Sequence, residues 1–173
     1  MKTLLSSFWL TLVLCVSSSY AAGPEMGAFF LATEGNWTGS GTVSIYRGQP
    51  VTFAITVQLG SVAPEPGSWT FTSTTRKPTG NPSTSVTTFQ VAGDVLQVIS
   101  SQYSEIAGVQ TSTPVELVFS TEHADPVTGK SVFMGRGMTF LSPTTLHVIS
   151  NIYENGVLVQ SYDYQVEKTP PQP

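Results

Sequence analysis

The chain has 173 residues, 40% hydrophobic and only 10% charged, with a formal net charge of −4. No basic run is present to meet a phosphate backbone, which excludes nucleic acid as a partner. One cysteine, Cys15, excludes an internal disulfide, so a single domain of this length must be held by its core alone.

The opening stretch MKTLLSSFWLTLVLCVSSSYAAG sets Lys2 before an apolar run from Leu4 to Val16, followed by small residues. This is the layout of a secretory signal over residues 1–21, with cleavage expected after Ala21 because Ser19 and Ala21 satisfy the small-x-small rule. The apolar run is too short to span a bilayer, and nothing small precedes Cys15 as a lipoprotein box requires. A secreted or periplasmic destination is expected. Residues 22–34 form an N-terminal segment in which EMGAFFLAT, Glu25 to Thr33, is the candidate for a short helix covering one end of the fold.

From residue 35 to 168 the chain reads with period two, the mark of half-buried strands. GNWTGSGTV opens the series. VTFAITVQL then places Val51, Phe53, Ile55, Val57 and Leu59 on one face and Thr52, Ala54, Thr56 and Gln58 on the other. SWTFTSTT repeats the pattern with Trp69 and Phe71. SVTTFQV, VLQVISSQY, PVELVFST, SVFMGRGMTFL, TLHVISNIY and VLVQSYDYQV follow, separated by turn chemistry such as KPTGNPS, AGD and HADPVTGK. Residues 169–173 are expected to be a flexible tail.

The clearest hairpin is the last, because Asn155-Gly156 between alternating strands signals a two-residue type I′ turn. A regular ladder from that turn pairs Tyr153 with Leu158, Asn151 with Gln160, Ile149 with Tyr162 and His147 with Tyr164. The face carrying His147, Tyr162 and Tyr164 is then expected to point inward, and Asp163 to face away from His147. Polar tips among rings suggest the wall of a cavity. About nine antiparallel strands joined by short turns predict an all-β, up-and-down barrel of about 8–10 strands, with a two-sheet β-sandwich as the alternative.

Gly35-x-Trp37 at the start of the first strand resembles the signature of the calycins, which include lipocalins, and the continuation WTGSG resembles nitrobindin-like bacterial barrels. The resemblance implies that Trp37 plugs the closed end, with a basic residue of the last strand packed over it. No arginine stands in SYDYQVEK, and Lys168 lies near that place. The histidine that nitrobindin-like barrels use for haem has no match, so no cofactor is carried over. Read from the residues alone, Trp37 fills the hole that small neighbours such as Gly35 leave, a structural role.

Arg136 alternates with Val132, Met134, Met138 and Phe140, and so points where they point. An inward arginine needs an answer. It stacks over Trp37, pairs with an internal carboxylate, or awaits an anionic head group, unless Gly135 and Gly137 bulge and turn it to solvent. His147 opposite Tyr164 reads as a histidine–tyrosine pair or a ligand contact. His123, with Glu122 and Asp125 in TEHADPVTGK, reads as a solvated turn, and no metal site is expected. No thiol nucleophile, G-x-S-x-G elbow, H-E-x-x-H or P-loop is present, so no catalytic residues are named.

These residues predict a lipocalin-like protein holding a small hydrophobic or amphiphilic ligand. Arg136, His147, Tyr162 and Tyr164 would orient its polar end, and Phe53, Ile55, Trp69 and Phe71 would line its apolar body. The alternatives are a small outer-membrane barrel, against which the EKTPPQP ending argues, so that membrane insertion is not expected, and a β-sandwich interaction module.

Overall fold

The computed structural model describes residues 22–46, 48–61, 67–101 and 103–170. The secretory stretch, residues 1–21, and residues 171–173 of the tail lie outside the described residues. One helix, α1 (Ala22–Thr33), precedes ten strands. These are β1 (Gly35–Ile45), β2 (Val51–Ser61), β3 (Ser68–Arg76), β4 (Ser83–Ala92) and β5 (Val95–Ile99). They continue as β6 (Ser104–Thr113), β7 (Glu116–Ala124), β8 (Ser131–Ser142), β9 (Thr145–Glu154) and β10 (Val157–Lys168).

Each strand pairs antiparallel with the next, and β1 pairs with β10, so the sheet closes into a barrel. That closure displaces the two-sheet alternative. Alternation decides which side chains fill it: on β2, Phe53, Ile55, Val57 and Leu59 are buried, while Thr52, Ala54, Thr56 and Gln58 are exposed. The seam relies on glycine. A Cβ on Gly39 would collide with the Gln165 carbonyl, and one on Gly41 with Tyr164, so β1 stays thin where β10 crosses it.

One of the ten strands, β6, does not show as a strand in the sequence pattern. SEIAGVQTST offers little apolar alternation, and its only buried residue is Ala107. The small side chains have a use, because α1 packs against β6, β4 and β7. Met26, Phe29, Phe30 and Thr33 stand at helical spacing i, i+3, i+4, i+7, and all four are buried. Phe30 lies 5.0 Å from both Trp69 and Phe89, and Phe29 meets Phe140 edge-on at 5.6 Å. The helix is a plug.

Trp37 finishes that end. Its ring is fully buried beside Phe140, and its Nε1 donates to the Thr33 carbonyl at 2.9 Å. Lys168 Nζ sits 5.3 Å over the indole and donates to the Ala32 carbonyl at 3.3 Å. The terminal carbonyls of α1, which have no partners within the helix, are thereby met by an indole and a cation, the sign the helix dipole favours there.

The last hairpin corrects the expected register. Asn155 and Gly156 have φ of 47° and 78°, as a type I′ turn requires, and Tyr153 does pair with Leu158. Val159 is then an extra residue in β10, and beyond this bulge every partner moves by one: Asn151 meets Ser161, Ser150 meets Tyr162, Val148 meets Tyr164 and His147 meets Gln165. A one-residue slip reverses the faces of one strand relative to the other. Tyr162 and Tyr164 therefore share the interior with Val148 and Ser150, and His147 is turned outward.

Candidate ligand-binding site

The strand directions put α1, Trp37 and Trp69 at one end and the turn at Asn155-Gly156 at the other. Toward this second end the barrel holds a cavity of about 250 Å³. Phe53 and Ile55 from β2, Phe71 from β3, Ile152 from β9, and Tyr162 and Tyr164 from β10 supply its apolar and aromatic wall. Phe53 lies 6.1 Å from the Tyr162 ring and 6.0 Å from that of Tyr164, edge-on to both. Ser73, Thr75, Ser83, Ser85 and Thr87 form a hydroxyl wall on β3 and β4, strands that lie opposite β8 and β9 in the barrel order. Ser73 and Ser85 share a hydrogen bond of 2.8 Å across the pair. The hydroxyls follow from parity with Phe71 and Phe89, a signal present in the sequence but not used there.

Arg136 points into this cavity. The β8 register runs without interruption from Val132 to Thr139 against both neighbours, so Gly135 and Gly137 do not bulge. The guanidinium lies 6.0 Å from the Phe71 ring, and Lys168, not Arg136, covers Trp37. No carboxylate among the described residues forms an ion pair with it. Its Nε is buried without a hydrogen-bond partner. Burial holds the Tyr164 and Tyr162 hydroxyls above the ordinary tyrosine pKa, and the nearby Arg136 charge partly offsets the rise.

Two residues expected in the cavity lie elsewhere. His147 stands on the outer surface, its Nε2 2.7 Å from Asp163 Oδ1, so the bulge that removes it from the interior also brings the two together. Trp69 is buried at the closed end, stacked on Phe30, with its Nε1 donating to Glu34 Oε1 at 3.0 Å. Conversely, Ser150 takes the inward place expected for its neighbour. The signal for that slip was a conflict of parity: Leu146 and Val148 compete with Tyr162 and Tyr164 for the interior unless one residue is skipped. His123 also differs from expectation. It belongs to β7, shares the inward face of Leu117, Phe119 and Thr121, and stacks on Tyr103 at 4.1 Å. The turn begins at Asp125, whose Oδ1 accepts from the Thr128 amide and hydroxyl and from the Val127 amide, which hold it below the ordinary aspartate pKa.

No family model and no curated protein sequence matches the chain. Several solved structures do match its fold. The S-type phycobiliprotein lyase CPES of Guillardia theta superposes with a TM-score of 0.62 at 12% identity, over 84% of this chain and 92% of that one. Rv2717c from M. tuberculosis gives 0.64 at 20% identity, over 84% and 98%. A DUF3598 protein from Nostoc punctiforme gives 0.57 at 10% identity, over 81% of this chain and 49% of that longer one. The likeness is one of architecture: the chain has a calycin-like, closed antiparallel β-barrel fold.

Proposed function

We propose that this chain is a secreted or periplasmic carrier of a small apolar or amphiphilic molecule, held inside the barrel. The observation that carries the reading is the cavity itself, aromatic on one wall, hydroxylated on the other, with an unpaired arginine between them. Each ligand methylene buried there contributes about 0.8 kcal/mol before ordering costs are met. Trp37 with Lys168 over its ring supports a reading of Gly35-x-Trp37 as the calycin signature. Secretion rests on the signal-like residues 1–21, whose removal after Ala21 would leave α1 as the first element.

The polarity of the barrel speaks against the outer-membrane alternative. Its outward residues on β1 and β2 include Thr38, Ser40, Thr42, Thr52, Thr56 and Gln58, where a lipid-facing wall would carry an apolar band. Native mass spectrometry of gently purified protein is expected to show a small-molecule adduct that is lost on unfolding. The neutral probe N-phenylnaphthylamine is expected to bind once per barrel, and Ser73→Phe, which pushes a ring into the cavity, to abolish that binding. Unchanged probe binding in a folded Ser73→Phe protein overturns the reading.

A further inference from the structure

Buried polar groups in proteins almost always find partners, so a cluster that does not is informative. Arg136 Nε, Ser150 Oγ, Thr121 Oγ1 and His123 Nδ1 are all buried without hydrogen-bond partners, and all belong to the inward faces of β7, β8 and β9. Arg136 and Ser150 are direct cross-strand neighbours, both lining the cavity, and Ser150 is only 2% exposed. Opposite them the Ser73 and Ser85 hydroxyls satisfy each other. Ser68 Oγ and Thr169 Oγ1, also without partners, lie toward the closed end. The unmet capacity that faces the cavity is therefore that of Arg136 Nε, a donor within a fixed positive charge, and of the Ser150 hydroxyl beside it. A neutral acceptor would satisfy the hydrogen bonds but leave the cation without a counter-charge in a cavity that holds no carboxylate. An oxyanion satisfies both.

The geometry points to a ligand that is an organic oxyanion, a carboxylate, sulfonate or phosphate monoester, whose oxygens accept from Arg136 Nε and Ser150 Oγ while its apolar part lies against Phe53, Phe71 and Tyr162. This rests on the carrier reading and specifies its ligand class. The Arg136 side chain is then kept for the ligand at the expense of the empty protein. Replacing an unpaired interior charge with an apolar chain of similar length does not destabilise a fold.

Two probes with the same ring system separate the ideas. Anilinonaphthalene sulfonate is N-phenylnaphthylamine bearing one anionic group. Fluorescence titration of the wild type is expected to give tighter binding of the sulfonate by about tenfold or more. Arg136→Met is expected to abolish that preference while leaving the neutral probe bound and the melting temperature equal or higher. Ser150→Ala is expected to weaken the sulfonate alone, by roughly threefold to tenfold. Equal affinities in the wild type overturn the inference without recourse to any variant, as does a preference that survives Arg136→Met. If neither probe enters the folded wild-type barrel, the carrier reading falls as well.

Discussion

At the residue scale, the Trp37 indole both packs the closed end and donates to the last turn of α1, and the two contributions can be separated. Trp37→Ala removes both and is expected to lower unfolding free energy by about 3–5 kcal/mol, whereas Trp37→Phe keeps a ring and loses about 1–3 kcal/mol with the hydrogen bond. Denaturant titration reads the difference. Tyr164 gives a pH prediction. Burial raises its pKa in the folded state, so the folded chain holds its proton longer than the unfolded chain does. The stability this represents is present below the ordinary tyrosine value and is lost as pH rises through the raised one. Alkaline melts should therefore show a decline that Tyr164→Phe diminishes, with phenolate absorbance appearing late in the wild type. His147→Ala should leave probe binding unchanged and shift stability by no more than about 1 kcal/mol, since its pair with Asp163 is at the surface. Trp37 was legible because small neighbours beside a large ring imply a gap to be filled. His147 was misread because its facing depends on a partner strand's register, which no property of its own residue type reveals.

At the element scale, most strands were legible from period-two alternation, and the type I′ turn from Asn155-Gly156. Two features were not. The small residues of β6 are chosen for the helix that lies on them, so its pattern reports a neighbour and not a pleat. The bulge at Val159 is a compromise between two strands, invisible when either is read alone. It makes a sharp prediction. Deleting Val159 leaves Leu158 opposite Tyr153 and Gln160 opposite Ile152. Every native pair beyond it then persists in a regular ladder, and Tyr162 and Tyr164 keep their inward facing. The deletion variant is therefore expected to keep cooperative unfolding and ordered near-ultraviolet dichroism, as Val159→Ala does, and loss of both in the deletion variant alone would show that the bulge itself is needed. Phe30→Ala tests the plug in the same way. Losing a ring stacked between Trp69 and Phe89 is expected to remove about 3–5 kcal/mol and to expose Trp69 emission to water.

At the scale of the whole molecule, the barrel encloses a small asymmetric space in which the cavity's character is set by few side chains. Its aromatic members were legible from alternation, whereas the hydroxyl wall and Ser150 required knowing which strands face one another. The seam between β1 and β10 carries a temporal consequence. Trp37 pairs with Lys168, so one edge of β1 has no native partner until nearly all of the described chain has left the ribosome. A nascent protein in that condition displays a bare ribbon of glycine and small hydroxyl residues that invites pairing with another copy, and its hydrogen-bonding groups must wait for β10. Closing the ring waits on β10, and anything that delays that strand lengthens the interval in which two such chains can join.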